Sequence, residues 1–286
     1  MIKSYKLRRF LANAFIYILL AVLGLIWISP LVYLVLHSFR GEGLAYVSYL
    51  IPKELSFKNY IDLFTVTSDS SLNFPRWFLN TFIVAIFSCI ISTLAVMMVS
   101  YAFSRLRFKA RKPLINVGMI LGMFPGFMTM IAIYYLLKAM GLTQTLVALV
   151  ICYSAGAGLG YQISKGFFDT IPRALDEAAT IDGATKNQIF WKIILPMSKP
   201  IIVYTVLTSF IGPWTDFILA KIIMGSAIDN YTVAIGLQNM LAAGKSLTQF
   251  KMFLAGSVVV AVPITTLFLI MQRYYVEGVT AGGVKG

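Results

Sequence analysis

The sequence predicts an all-α integral membrane protein with six transmembrane helices. Of its 286 residues, 59% are hydrophobic and only 12% are charged, and the mean hydropathy is +0.82. Soluble domains carry about a quarter charged residues, so this chain has too little polar side chain to cover a globule in water. The composition therefore excludes a disordered chain and a purely peripheral membrane protein.

Long uncharged segments locate the six helices, because about 20 helical residues are needed to cross ~30 Å of hydrocarbon. Five segments contain no charged residue, and a sixth contains only Asp216 and Lys221. In chain order the predicted segments are 10–36, 77–104, 113–137, 139–164, 200–224 and 252–272. The first is longer than the apolar region of a signal peptide, which indicates an uncleaved helix.

The chain is predicted to form one membrane domain. Residues 1–10 are a cytoplasmic N-terminus, 11–36 the first transmembrane helix, 37–75 an outer loop, 76–273 a five-helix core and 274–286 a cytoplasmic tail. The core includes an inner loop at 165–199 and an outer loop at 222–251. The basic run RLRFKARK at 105–112 places both termini in the cytoplasm by the positive-inside rule. This topology accounts for most of the net charge of +13 without nucleic acid.

Catalytic and metal-binding motifs are not predicted. The string NMLAAGKS at 239–246 resembles a phosphate-binding loop, but Asn239 replaces the first glycine and no strand precedes it. Cys89 and Cys152 lie inside apolar segments and are expected to be packing residues. His37 is the only histidine, and its place at the end of the first helix predicts a solvated side chain without a partner.

Two segments are candidates for lining a translocation path. Asp216 interrupts the fifth helix, where a carboxylate costs about 2.5 to 3.5 kcal/mol on insertion scales and usually faces a cavity or a partner. Pro213 and Trp214 precede it, and the proline is expected to kink the helix. The alternative is that Asp216 pairs with Lys221 or lies near the outer surface. Pro125 predicts a kink in the third helix and, secondarily, part of a gate.

The inner loop from 171 to 200 is predicted to be a helix-turn-helix on the membrane surface. Pro172 suits a first helical turn, and Asp176 and Glu177 lie early in the helix, where its dipole favours them. Gly183 allows a turn. A second short helix would direct Phe190, Trp191 and Ile194 toward the bilayer and end near Pro196. The segment indicates a docking element for a cytosolic protein, or alternatively an interfacial helix without a partner.

This inner loop resembles the EAA loop of bacterial ABC-importer permeases. The matching residues and their immediate neighbours are Glu177, Ala178, Ala179, Asp182, Gly183, Ala184, Ile193, Leu195 and Pro196. Across the chain, GPWTDFILAK, YTVAIGL and the tail QRYYVEGVTAGGVKG are similar to MalG-type sugar permeases. The resemblance implies a type I ABC-importer permease fold in the bacterial inner membrane and import of a sugar, such as maltodextrin or a similar oligosaccharide.

The resemblance also implies the partners. They are a MalF-like second permease, two cytosolic ABC ATPase subunits, an extracytoplasmic sugar-binding protein and membrane lipid, with no nucleic acid. The EAA residues would couple to the ATPase, which binds ATP and Mg²⁺, while this chain binds no cofactor or metal and has no catalytic residue. Gly278, Thr280, Gly282 and Gly283 would form a second ATPase contact, and the loop 222–251 would touch the binding protein.

Two other classes of protein stay open on the sequence. A proton- or ion-driven secondary transporter would need several buried titratable groups, whereas Asp216 is the one carboxylate within a predicted transmembrane segment. A non-transporting membrane scaffold or sensor would use the inner loop only to recruit a cytosolic protein.

Overall fold

The computed structural model describes residues 2–41, 43, 47–65, 72–157, 160–242 and 247–283, and these fold as helices joined by short turns. The helices are α1 (Ile2–Ser38), α2 (Lys58–Thr65), α3 (Phe74–Arg105), α4 (Arg111–Gly122), α5 (Gly126–Ala139), α6 (Leu146–Ala157), α7 (Tyr161–Thr170), α8 (Ala174–Ile181), α9 (Lys186–Ile189), α10 (Leu195–Met197), α11 (Lys199–Thr215), α12 (Ile218–Met224), α13 (Val233–Leu241) and α14 (Leu247–Gly283). A π-helical turn (Phe190–Ile194) joins α9 to α10, and a 3₁₀ turn (Ile228–Asn230) precedes α13. The predicted all-α class is confirmed.

Three unbroken helices in the described residues are long and apolar enough to cross a membrane: Tyr5–Ser38, Phe74–Arg105 and Leu247–Tyr274. Three further helix pairs pass the same test but are bent. The bends are 104° between α4 and α5, 41° between Leu146–Gly156 and α7, and 83° between Lys186–Met197 and α11. Counting each pair as one crossing gives the predicted six, and that number and the side of the termini remain predictions.

The chain divides into two compact units. One contains Met1–Val66 and Met240–Val259, and the other contains Thr67–Asn239 and Val260–Gly286. The second unit carries the inner loop and the fifth predicted segment, so it holds most of the candidate functional residues.

Helix α3 is the central element of the second unit, where it packs against α6, α7 and α11. Its buried face carries small hydroxyl side chains that bond to neighbouring backbone carbonyls. Ser92 Oγ donates to the Tyr153 carbonyl (3.3 Å) and Ser100 Oγ donates to the Tyr161 carbonyl (3.0 Å). Small residues allow close helix approach and satisfy their own polar atoms, which explains why serine recurs along an apolar helix.

In the first unit, His37 contradicts the sequence prediction of a solvated side chain. It is fully buried, its ring stacks on Tyr33 with centroids 4.1 Å apart, and its Nε2 donates to the Tyr49 carbonyl (3.1 Å). Its Nδ1 then accepts from Arg40 Nη1 (3.4 Å). The prediction was wrong because residues after α1 fold back over its end and enclose the imidazole.

Candidate functional site

The inner loop folds as the predicted helix-turn-helix. Helix α8 carries Asp176 and Glu177 in its first turn and ends at Ile181. Gly183 then adopts φ +82°, a left-handed conformation that glycine reaches without steric cost. Thr185 and Gln188 form a reciprocal capping box that starts α9. The acidic first turn and the glycine turn agree with the prediction, whereas Pro172 lies before α8, which begins at Ala174, rather than in its first turn.

The predicted coupling residues divide into an outward-facing and an inward-facing group. The exposed members are Glu177, Ala178, Asp182, Gly183 and Pro196. The members that pack against the core are Ala179, Ala184, Ile193 and Leu195. Alongside the turn, Asp182, Gly183, Ala184, Gln188, Lys192 and Ile193 line an open cavity of about 360 Å³. Small and polar side chains thus form the exposed surface of the turn. Apolar residues pack beneath this surface against the buried core.

Ile181 lies at the same exposed turn. Its side chain is 87% exposed at the end of α8, next to Asp182 and the Gly183 turn. A single exposed apolar side chain is common on protein surfaces, so Ile181 is of interest for its place beside the exposed turn rather than for its exposure alone. The sequence reasoning did not single out Ile181, although its position at the turn was visible.

A buried hydrophobic cluster lies beneath the helix-turn-helix. It consists of Val96, Met97, Tyr101, Phe168, Ile171, Ile189, Phe190, Ile194 and Ile201. Phe190 and Ile194 therefore point into the protein rather than toward the bilayer, which corrects the prediction for these two residues. Trp191 is 48% exposed. The π-helical turn at this point rotates the side chains relative to a regular helix, which the sequence pattern did not reveal.

Arg105, the last residue of α3, connects this helix to the helix-turn-helix. Its Nη1 lies 3.1 Å from Asp176 Oδ2, and only 4% of the arginine and 14% of the aspartate side chain are exposed. Its Nη2 donates to the carbonyls of Phe168 (2.6 Å) and Ile171 (2.7 Å). Sequence reasoning missed this role because it treated the basic run 105–112 only as an orientation signal.

Asp216 acts as a cap between two helices. It follows the end of α11, its Oδ1 accepts from the Leu219 backbone N–H (3.1 Å), and its Oδ2 accepts from the Tyr153 hydroxyl (3.0 Å). Lys221 bonds instead to the Gly225 carbonyl (3.0 Å) and the Tyr231 hydroxyl (2.6 Å). The described contacts therefore give Asp216 a tyrosine partner from α6, not the lysine that the alternative reading proposed.

The other candidate path residues lie in different environments. Trp214 is only 3% exposed and packs against Phe78, Phe82 and Phe210. Pro213 lines an open cavity of about 240 Å³ together with Tyr153, Thr208, Ser209 and Gly212. Pro125 stands directly before α5, at the 104° bend between α4 and α5. The predicted kink is therefore a complete break between two helices.

The predicted outer loop 222–251 contains a folded segment that is fixed to the N-terminal end of α3. Trp77 Nε1 donates to the Ile228 carbonyl (3.2 Å), and Asn80 Nδ2 donates to the carbonyls of Asp229 (2.8 Å) and Tyr231 (3.0 Å). Val233 and Ile235 are fully buried. Only part of this loop is therefore free to meet a partner.

Two predicted regions fall wholly or partly outside the described residues. Gly278, Thr280, Gly282 and Gly283 lie on the backbone of the last turns of α14, but their side chains are outside the description, as are residues 284–286. Residues 243–246 of the NMLAAGKS string are also outside it. Across the part of the chain that the structure covers, no group of three or more His, Cys, Asp or Glu is arranged to hold a metal ion.

Fold and site together define a multi-pass membrane protein with an exposed helix-turn-helix that packs on a buried apolar cluster. The chain belongs to the family of binding-protein-dependent transport system inner membrane components, whose model matches residues 94–280. The resemblance predicted from the inner loop is thereby confirmed, as is an inner-membrane location.

Full-length relatives support the same family. The chain is 35% identical over 289 residues to the galactooligosaccharides transport system permease protein GanQ of Bacillus subtilis, covering 100% of both chains. It is 32% identical over 284 residues to the maltodextrin transport system permease protein MalD of Streptococcus pneumoniae, covering 99% of both. The fold is similar to a crystal structure of a bacterial ABC transporter involved in the import of the acidic polysaccharide alginate, with a TM-score of 0.79, 20% identity, and coverage of 93% of this chain and 96% of that chain.

Proposed function

We propose that this chain is a permease subunit of an ATP-driven, binding-protein-dependent importer of neutral oligosaccharides, of the maltodextrin or galactooligosaccharide class. The observation that carries the proposal is the exposed turn from Glu177 to Gly183, held on a buried apolar cluster at the end of α3. The names of the full-length relatives support the choice of oligosaccharide.

The partners follow from this role. A second, MalF-like permease completes the pathway, two cytosolic ATPase subunits dock beneath the pair, and an extracytoplasmic binding protein delivers the sugar. ATP and Mg²⁺ are bound and ATP is hydrolysed in the ATPase subunits, so this chain needs no cofactor and no catalytic residue of its own. The sugar crosses the membrane chemically unchanged.

The docking surface is the outward-facing group Glu177, Ala178, Asp182 and Gly183, together with Ile181. Small side chains let the ATPase approach closely, and Ile181 supplies apolar area that is lost from water on contact. The backbone of α14 continues to Gly283, which supports the end of this helix as a second ATPase contact.

Coupling then follows from linkage between two conformations. ATP closes the ATPase pair, the docked helices move with it, and the two permeases change from inward-facing to outward-facing. Helix breaks provide the places where the membrane part bends. The break at Pro125 and the break between α11 and α12 at Asp216 are the hinges that we assign to this motion.

We assign Asp216 and Pro213 to the translocation path, supported by the open cavity of about 240 Å³ beside Pro213 and Tyr153. The hydroxyl of Tyr153 already bonds to Asp216, and Ser209 lies in the same lining. Such groups match the hydrogen-bonding surface of a sugar. Trp214 does not line the path itself, because it is packed among three phenylalanine rings. We assign it to the packing that holds Pro213 and Asp216 in place.

Uptake of labelled maltodextrin and galactooligosaccharide by cells with and without this chain tests the proposal. We expect uptake that depends on the chain, stops when ATP is depleted with arsenate and survives a protonophore. Uptake that stops with the protonophore while ATP is maintained would support a secondary transporter instead. No difference between the two strains for either sugar would contradict the proposed substrate class.

A further inference from the structure

We infer that Arg105 is a positioning residue that transmits movement of the docking helix α8 to the membrane helix α3. This inference rests on the proposed function, because it names the route by which ATPase movement reaches the translocation path. Only 4% of the Arg105 side chain is exposed, and it lies in the lining of one cavity together with Asp176 and Glu177.

The geometry concentrates three connections on one guanidinium. One bond reaches Asp176 in the first turn of α8, and two reach the carbonyls of Phe168 and Ile171, where α7 ends and the chain turns toward α8. Both carbonyls lie at the end of α7, where the Phe168 carbonyl also accepts from the Ile171 backbone N–H (3.2 Å). The planar, multi-donor guanidinium satisfies all three acceptors at once, which a lysine ammonium on a flexible stem would not reproduce.

Neighbouring contacts place the same end of α3 against the rest of the docking element. The Tyr101 hydroxyl donates to the Lys186 carbonyl (3.0 Å), where α9 begins. Ser104 Oγ donates to Asp169 Oδ1 (2.5 Å) on α7. The last turns of α3 therefore contact α7, α8 and α9, but Arg105 makes the charged link to α8.

The burial of this pair distinguishes it from an ordinary surface salt bridge. With 4% and 14% of the side chains exposed, both charges are largely removed from bulk solvent, so separating them leaves a buried charge without its ion-pair partner. Such a pair resists sliding between α8 and α3. When the ATPase displaces α8, α3 must therefore follow, and α3 contacts the path-lining helices α6 and α11.

The inference predicts a specific failure in Arg105→Gln and Arg105→Lys. In proteoliposomes with all partner subunits, the ATPase should still co-purify with each variant, because the exposed face of α8 is unchanged. Sugar uptake should fall at least tenfold while ATP hydrolysis falls much less, so that more ATP is consumed per sugar. Lys109→Gln is the matched control, since it removes a positive charge four residues away at an exposed position, and it should behave like the wild type.

A double-mutant comparison isolates the pair itself. Asp176→Asn should raise the ATP consumed per sugar as Arg105→Gln does, and the double variant should be no worse than either single variant. Additive losses would overturn the assignment, because they would show two independent roles. An unchanged ratio of ATP to sugar in Arg105→Gln would overturn it too, as would loss of the ATPase from that variant, which would indicate a role in docking alone.

A readout that needs no partner separates this inference from the proposed function. Hydrogen exchange on the full chain in detergent should increase across α8 in Arg105→Gln and remain unchanged in Lys109→Gln. If the wild type shows no ATP-driven uptake, the proposed function fails while this measurement still tests the bracing. If uptake is normal and α8 exchanges equally in both variants, the inference fails while the function stands.

Discussion

The two ends of α3 each carry an arginine–aspartate pair, and the two pairs differ in burial. At one end Arg105 lies 3.1 Å from Asp176 with 4% and 14% of the side chains exposed. At the other, Arg76 lies 3.5 Å from Asp229 with 51% and 75% exposed. Exposed pairs contribute about 0 to 1 kcal/mol, whereas breaking a buried pair is strongly destabilising. The same arginine–aspartate pairing therefore links α3 strongly to α8 at one end and only weakly to the outer segment at the other.

The outer segment is instead held by neutral hydrogen bonds and close packing. Trp77 and Asn80 bond to backbone carbonyls of residues 228–231, and the Thr81 hydroxyl accepts from the Val233 N–H (2.8 Å). A side chain on Gly236 would overlap the Trp77 ring. Several neutral contacts hold the outer segment, while at the inner end one guanidinium makes the charged link to α8. We expect single substitutions to be more damaging at the inner end.

Replacing Asp176 with alanine should have the largest effect on stability. It leaves the buried Arg105 guanidinium without its counter-ion, which costs about 3 to 5 kcal/mol. Thermal unfolding in mild detergent, followed with a thiol-reactive dye, measures this because Cys89 and Cys152 are free and buried until the chain unfolds. A midpoint no lower than that of Asp229→Ala would contradict the difference between the two ends.

Gly236→Ala should have the next largest effect. The new methyl group must displace the Trp77 ring or the outer segment, and overpacking of this kind costs about 1 to 3 kcal/mol. The same unfolding assay measures the loss. Gly122→Ala is the control, since no atom lies within 4 Å of the position where its Cβ would be. Equal midpoints for the two variants would show that the outer segment is not tightly packed against Trp77.

Gly183→Asp should cost a similar amount of stability but also abolish uptake. The left-handed backbone at φ +82° is strained for other residues by about 1 to 3 kcal/mol, and the new carboxylate would stand in the docking surface. Gly141→Asp is a matched control, because Gly141 has φ +68° and also has open space around it. We expect similar unfolding midpoints for both variants and normal uptake only for Gly141→Asp. Normal uptake by both would remove Gly183 from the docking surface.

Arg76→Gln should have the smallest effect, below about 1 kcal/mol, because both partners of this pair are exposed to solvent. The unfolding midpoint should change little, and raising the salt concentration should reduce even that change. A shift as large as that of Asp176→Ala would show that burial does not explain the contrast.

The helix-turn-helix of the inner loop was predictable because its signals are local. Asp176 and Glu177 in a first turn and Gly183 at a turn are all recognised within a few residues of sequence, and all appear in the structure. The broad fold followed equally from long apolar segments. The geometry of the exposed turn does not by itself indicate a function, and the family resemblance supplied the proposed one.

What the sequence did not reveal depends on residues that are distant along the chain. Arg105 meets Asp176, Asp216 meets Tyr153, and the buried His37 meets Tyr49 only after folding. Pro125 indicated a bend, but neighbouring helices determine its size. The outer segment was expected to be a loop because its fixing contacts come from Trp77 and Asn80, far earlier in the sequence.

The most direct test of the central claim is mass spectrometry of the proteins that co-purify with the full chain from its native membranes. With the wild type we expect a second permease of the same family and an ABC ATPase. With Gly183→Asp the second permease should remain and the ATPase should be lost. Recovery of the wild-type chain without any ATPase, or equal recovery of the ATPase with both, would contradict an importer subunit that docks its ATPase through this turn.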